Sequence, residues 1–374
     1  MNISVIGAGS WGSAIAWLLG EKGHTVRLWA RSPQLVSTLN ASHRNPRYLQ
    51  DITFAPTVTA STSLAETLAN TEAVVLVTPS AVVSNMAQQI APLISQDTPV
   101  VLLSKGLEPT QGSLLLDVLA SDLYNGEPDE SASLDAAPAP GTAGALIPNP
   151  ANQIGPSEHF GWPDNFGSHG RLAVLSGPNH AEEVVRSIPS ATVVASLSQE
   201  TADFFQTLFA TPTFRVYTSR DTIGVQLCGA AKNIIAIACG LATGLGFGDN
   251  TTSMLMTRGL AEISRLAASL GGDPLTCMGL AGMGDLIATC TSTHSRNRAF
   301  GLELAGGGTL EAYQERTHMV VEGAIACKTV TNLAYAHNVD MPISMVVRNI
   351  VWDRQPLDEA VTSLIDRSFK PEFP

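Results

Sequence analysis

Lys232 is the only charged residue between Thr222 and Gly248, a 27-residue stretch otherwise made of apolar and small polar side chains. An isolated ammonium in an apolar helix is costly, so it must be paired, neutral or turned toward a ligand cavity. Burial also lowers a lysine's pKa toward the range useful for proton transfer. Lys105, in Ser104-Lys105-Gly106, directly follows an apolar run. Open α/β sheets bind ligands at the carboxyl ends of their strands, so this lysine suits an anionic group. Asp285 closes the glycine-dense Gly279-Leu280-Ala281-Gly282-Met283-Gly284. It is expected in a loop, able to pair with Lys232 or to accept from a substrate hydroxyl. Ser295-Arg296-Asn297 reads as a helix start, where hydroxyl, guanidinium and amide meet a positive helix end and suit a phosphate. Ordinary roles compete at each position: a snorkelling lysine, a turn aspartate, a capping serine.

A separate motif at the chain start points to a dinucleotide. Gly7-Ala8-Gly9-Ser10-Trp11-Gly12 follows a short apolar run at the chain start and opens an Ala/Leu-rich stretch. Its glycines allow a tight turn and close approach of a pyrophosphate to the helix N-terminus. The motif alone is weak; inside a βαβ unit of about 30 residues it is in its proper context. The second strand of such a unit usually ends in an acid that holds the ribose 2′-hydroxyl of NAD. Here it ends Trp29-Ala30-Arg31-Ser32. Arg31 suits a 2′-phosphate, so the reading favours NADPH without excluding NAD.

The elements that must position these residues fall into two kinds. Apolar runs at Ile3–Gly7, Thr25–Trp29, Ala73–Val77, Pro99–Leu103, Leu172–Leu175, Ala191–Ala195 and Phe214–Thr218 read as strands. Several are continuously apolar, as in parallel strands covered on both faces. Helices are expected at Trp11–Glu21, Pro33–Leu39, Ser63–Asn70 and Val82–Ile94. The fold class is therefore α/β, a Rossmann-like doubly wound sheet. After Asp221 only helices are expected, at 222–240, 253–270, 296–305, 322–337, 343–353 and 357–367. The division is a dinucleotide-binding domain over 1–218 and an all-helical substrate and catalytic domain over 219–374. Residues 124–170 break the pattern with seven prolines and seven glycines. They read as an exposed insertion, dispensable for fold and chemistry.

Composition narrows the function. The net charge of −12 argues against a nucleic-acid or anionic-membrane partner, so phosphate must be held by local cations. Nine of the 33 acids lie between Lys105 and Arg171, where there is no Lys or Arg. The five cysteines show no CxxC spacing, which argues against a zinc ribbon or a disulfide framework and fits buried thiols. No metal site is expected. Neither a signal peptide nor a membrane span is expected, since Lys232 would sit near the centre of the one long apolar segment.

Taken together, GAGSWG at 7–12, SKGLE at 104–108, SGPNHAEEV at 176–184, GAAKN at 229–233, GLAGMGDLIATC at 279–290, SRNRAFG at 295–301 and VVEG at 320–323 are distinctive. In order and spacing the chain resembles the bacterial-type soluble NAD(P)-dependent glycerol-3-phosphate dehydrogenase family over nearly its whole length except about 122–170. It departs from that pattern at Asn179 and His180, where Ser or Thr and Phe are common. The resemblance implies Lys232 as the catalytic residue. It implies substrate contacts at Lys105, Gly177, Asn179, Lys232, Asp285, Ser295, Arg296 and Asn297. It implies cofactor contacts at Ser10, Trp11, Arg31, Lys105, Ala181, Arg296, Val320 and Glu322, beside the motif glycines Gly7, Gly9 and Gly12. The implied activity is reversible NAD(P)H-dependent reduction of dihydroxyacetone phosphate to sn-glycerol 3-phosphate, supplying the glycerophospholipid backbone in the cytoplasm, with a homodimer left open. The alternatives are another reductase on the same two-part plan, of ketopantoate reductase or hydroxyacid dehydrogenase type, and a nucleotide-binding sensor without catalysis.

Overall fold

The structure, a computed structural model, describes residues 1–124 and 170–365. The 125–169 part of the expected insertion lies outside them. Eight strands form one sheet: β1 (Asn2–Ile6), β2 (Thr25–Trp29), β3 (Val58–Ser61), β4 (Ala73–Leu76), β5 (Val100–Leu102), β6 (Leu172–Ser176), β7 (Ser190–Ala195) and β8 (Phe214–Ser219), in the order β3-β2-β1-β4-β5-β6-β7-β8. β1 to β6 are parallel to one another; β7 runs antiparallel to β6 and carries β8 parallel beside it.

Strand residues alternate between two cores, because successive side chains point to opposite faces. Val5, Val75, Val101 and Leu175 pack on one side with Ile15, Leu19, Phe205 and Phe209. Ile6, Val74, Leu102 and Val174 pack on the other with Met86, Ile90, Leu115 and Leu119. Both faces are covered by helices, which explains the continuous apolar runs and bears out the doubly wound sheet.

A third core surrounds the helix Thr222–Gly244, whose residues 222–242 are almost all buried. It is the one described helix long and apolar enough to cross a membrane, and its apolar window lies wholly inside the protein. Glycines let a second helix, Arg296–Ala305, cross it backbone to backbone. A Cβ on Gly240 would fall 2.1 Å from the Arg298 carbonyl oxygen, and one on Gly301 would fall 2.2 Å from that of Ile237. Elements absent from the sequence expectation are β3 and the helices Leu115–Tyr124, Ala181–Val184, Gln199–Phe209, Pro274–Met278, Asp285–Thr291 and Leu310–Thr317.

Candidate active site

The strand order reverses between β1 and β4, and the glycine turn lies at that reversal. Gly7 takes φ +123°, a conformation that L side chains rarely adopt, and a Cβ there would fall 2.4 Å from the Val77 carbonyl oxygen. Gly12 packs so closely that its Cβ would meet the Gly7 carbonyl. Gly9, in contrast, faces open space, with nothing within 4 Å of a built Cβ. The helix Ser10–Glu21 starts directly behind it. The turn is therefore closed against the sheet and open outward, a cradle that fits a pyrophosphate at a helix N-terminus. Two polar groups nearby also lack partners among the described residues: Thr78 Oγ1, just past β4, and the Trp11 indole N–H. Buried polar atoms are normally paired, so these fit a site meant for a ligand. Arg31 is exposed two residues past β2.

Next to this crevice stand the two lysines. Lys105, three residues past β5, donates to the Gly177 carbonyl, to Asn179 Oδ1 and to Asp285 Oδ2, each at 3.0 Å. Lys232, from the middle of its helix, donates to Asp285 Oδ1 at 2.6 Å and to Thr289 Oγ1 at 2.8 Å. Asp285 thus bridges an ammonium at the sheet's carboxyl edge and one from the helical half. Side-chain exposure is 20% for Lys105, 7% for Lys232 and 4% for Asp285. Lys232 does not snorkel to the surface; it is buried and paired.

Asp285 is not in a loop. The glycine run winds one wide π turn over Leu280–Gly284, closed by Gly284 N–H donating to the Gly279 carbonyl at 3.1 Å, and Asp285 begins the helix Asp285–Thr291. Such turns often mark functional sites. The helix N-terminus favours the carboxylate. Thr289, one turn on, returns its hydroxyl to the Asp285 carbonyl at 2.6 Å.

Electrostatics follow from burial and this bridge. Burial pushes Lys232 down to about 8; Asp285 resists the fall and Lys105 adds to it. Burial alone would raise Asp285, but Lys105 and Lys232 outweigh it and hold the carboxyl below its usual range. Lys232 is thus poised to exchange a proton near neutral pH while Asp285 stays ionised.

The remaining sequence-derived residues sort as follows. Asn179 is buried and donates to Thr192 Oγ1 at 3.1 Å while accepting from Lys105. Ala181 is buried at the start of the short helix Ala181–Val184, and Ser10 donates to Glu182 on that helix at 3.1 Å. Ser295 caps the helix Arg296–Ala305 by accepting from Arg298 N–H, and Arg296 is exposed on its first turn. Asn297 turns inward: it donates to Asn233 Oδ1 and accepts from Gly323 N–H, both at 2.9 Å. Its amide ties three helices together. Val320 is 38% exposed. Glu322 accepts from Ser80 Oγ at 2.8 Å, beside Gly106, and burial raises its carboxyl pKa. It links the helical half to the carboxyl end of β4. Sequence reasoning assigned no role to Thr289, Thr192, Ser176 or Ser80. The four-residue spacing of Asp285 and Thr289 on one helix face was the available signal for Thr289.

Comparison with known proteins now adds to this geometry. The family model described as the N-terminus of NAD-dependent glycerol-3-phosphate dehydrogenase matches residues 2–132 and 163–202, and that of its C-terminus matches 221–362. The chain is 38% identical over 372 residues to a glycerol-3-phosphate dehydrogenase (NAD(P)+) of Chlorobium luteolum, spanning 100% of this chain and 99% of that protein. The chain belongs to the glycerol-3-phosphate dehydrogenase family. A crystal structure of a member from Coxiella burnetii superposes with a TM-score of 0.82 at 33% identity, covering 98% of each chain. A ketopantoate reductase from Ralstonia eutropha reaches only 0.56 at 14% identity, over 96% of this chain and all of that one, and shares the fold alone. The rival reading as a reductase of that kind is thereby set aside. The N-terminal family model leaves 133–162 unmatched, within the stretch read as an insertion.

Proposed function

We infer that the protein is an NAD(P)-dependent glycerol-3-phosphate dehydrogenase that interconverts dihydroxyacetone phosphate and sn-glycerol 3-phosphate, and that Lys232 is its proton donor. The observation that carries the assignment of roles is the Lys105–Asp285–Lys232 bridge at the carboxyl edge of a dinucleotide-type sheet. Gly7, Gly9, Ser10, Trp11, Gly12 and Ala181, with Val320 and Glu322 from the helical half, would hold a nicotinamide dinucleotide, which when bound would supply or take up the hydride.

The protein's own groups do the rest. An ammonium has three N–H bonds. Lys232 directs two at Asp285 and Thr289, which leaves one for the substrate carbonyl oxygen. In reduction it donates its proton to the developing alkoxide; in oxidation the neutral amine takes the hydroxyl proton back. Asp285 keeps the amine aimed and supports its charge. Lys105, whose three N–H bonds go to Gly177, Asn179 and Asp285, acts on that oxygen through its charge and holds the Gly177–Asn179 loop that shapes the substrate pocket. Ser295, Arg296 and the helix end they open anchor the phosphate, and Asn297 holds that helix against Asn233. Binding energy from the phosphate then positions the carbonyl.

Arg31, exposed past β2, supports a preference for NADPH over NADH. We place the division of labour at 218/219, with the sheet binding cofactor and the helices completing the substrate site. The protein acts in the cytoplasm, alone or as a homodimer, in supply of the glycerophospholipid backbone. The test is the rate of NADPH and NADH oxidation with dihydroxyacetone phosphate, with unphosphorylated dihydroxyacetone and with neither. Oxidation only with the phosphorylated ketone supports the reading; equal rates with both ketones contradict the phosphate site.

A further inference from the structure

A pair of thiols lies beside the Lys232–Asp285 contact. Cys228 and Cys277 lie with their sulfurs 3.4 Å apart. The helix Thr222–Gly244 carries Cys228 and Lys232, and also the buried Cys239, while the segment 274–291 carries Cys277 and Asp285, and also the buried Cys290. All five cysteines are free. We propose that Cys228 and Cys277 are a peroxide-sensitive pair whose oxidation to a disulfide pulls Asp285 away from Lys232 and slows turnover.

The chemistry is asymmetric between the two sulfurs. Cys228 donates to Cys277 Sγ at 3.4 Å. The sulfur that accepts has the greater thiolate character. The hydrogen bond from Cys228 lowers the Cys277 pKa, whereas giving that bond, together with burial, raises Cys228. Cys277 is also the more approachable by local opening. It is the buried residue of the five-residue helix Pro274–Met278, whose Leu275 and Met278 are 73% and 59% exposed. Short exposed segments of this kind open at little cost. Cys327, in contrast, is pushed up to about 12 by burial and has no thiol partner.

The steps balance with hydrogen peroxide as the oxidant. The Cys277 thiolate attacks one peroxide oxygen, the O–O bond breaks, and the departing hydroxide takes a proton to become water. The sulfur of Cys228 then attacks the sulfenic sulfur of Cys277, forming the S–S bond and releasing a second water. Two electrons leave the thiols and reduce one peroxide to two waters.

Geometry couples that bond to the active site. The sulfurs must close by about 1.4 Å. The helix bearing Cys228 is locked in the core, so the short helix bearing Cys277 is the part that moves. Gly282 sits directly on it: a Cβ there would fall 2.1 Å from the Cys277 carbonyl oxygen. A shift of Cys277 is therefore passed to the π turn, and Asp285 stands three residues beyond Gly282. Misplacing a reacting group by about 1 Å can cost about 10²-fold in rate. This consequence rests on the roles given to Lys232 and Asp285 above; the cross-link itself does not.

The test treats the full-length enzyme with a small excess of hydrogen peroxide. Peptide mass mapping and turnover with dihydroxyacetone phosphate are then measured before and after a phosphine reductant. The expected result is a 228–277 cross-linked peptide, a fall in turnover of about 10–100-fold, and recovery on reduction. Cys277→Ser should keep the untreated rate and lose the sensitivity, and Cys228→Ser serves the same purpose if Cys277→Ser misfolds. Cys290→Ser should remain sensitive. Loss of turnover without the cross-link overturns the proposal, as does the cross-link with unchanged turnover. The untreated enzyme's dependence on Lys232 is measured separately, so failure of the site reading shows itself apart from failure of the thiol pair.

Discussion

Asp285→Asn tests how the site sets the charge of Lys232. The carboxylate lies 2.6 Å from Lys232 Nζ and 3.0 Å from Lys105 Nζ. At an effective dielectric of about 20, opposite unit charges about 4 Å apart attract by about 4 kcal/mol. The substitution removes that support. It also presents one oxygen and one NH2 group, so one of the two ammoniums faces a donor. Lys232, held at about 8 with Asp285 resisting the fall, must drop further. Loss of a close opposite charge moves a pKa by about 1–3 units. A two-unit fall leaves about 25-fold less protonated Lys232 at about pH 7.5, and reduction should slow accordingly. Breaking a buried pair by removing one partner also costs about 3–5 kcal/mol of stability. The assay is kcat/KM for ketone reduction across about pH 6 to 9.5, which reports the free enzyme, and a fall on the alkaline side reports loss of the proton donor. In the parent the fall should centre near 8. In Asp285→Asn it should move to lower pH while cofactor still binds. A break at the same pH in both proteins would refute the coupling, whatever the loss in absolute rate.

Three further outcomes are expected. Arg296→Leu should cost about 1.5–3 kcal/mol in kcat/KM for the phosphorylated ketone, the value of one charge-assisted contact, and an equal loss with unphosphorylated dihydroxyacetone would remove it from the phosphate site. Arg31→Asp should shift the kcat/KM ratio from NADPH toward NADH, and an unchanged ratio would show that it does not read the ribose 2′ position. Glu262, buried, accepts from Ile343 N–H, Ser344 N–H and Ser344 Oγ at the start of the helix Pro342–Trp352, and burial raises its carboxyl from an ordinary 4.5 to about 7. The folded state therefore holds the proton that the unfolded chain gives up. Stability from this group is complete below 4.5 and is lost as pH rises through 7, by up to about 3 kcal/mol. Glu262→Gln should flatten the fall in melting temperature over that range; an equally steep fall would contradict this.

Much of the fold was legible because the two faces of the sheet left a mark in composition. β4 reads as one apolar run since its residues alternate between two covered cores. β3 left no such mark. It is a four-residue edge strand, Val-Thr-Ala-Ser, with only Val58 buried. The helix Leu115–Tyr124 ends where the Pro- and Gly-rich sequence begins, and no helix was expected there. Lys232 was legible as an anomaly, one charge in an apolar helix. Its partner was legible only as a candidate, because the pairing depends on how the segment 274–291 packs on that helix. Glycine density suggested a loop at Asp285, but the chain there winds a π turn, and one of its glycines serves close packing: Gly282 lies against the Cys277 backbone. The inward turn of Asn297 likewise follows from the crossing at Gly240 and Gly301, a contact between helices that no local pattern encodes.

The central claim is that Lys232 exchanges the proton with the substrate oxygen. The most direct measurement is kcat of Lys232→Ala with saturating dihydroxyacetone phosphate and NADPH, beside the dissociation constant for NADPH alone. The account requires turnover to fall by about 10²–10⁴-fold, the contribution of a positioned acid or base, with cofactor affinity little changed. Turnover within a few-fold of the parent would mean that the proton comes from another group, and the bridge from Lys105 through Asp285 to Lys232 would then be structural.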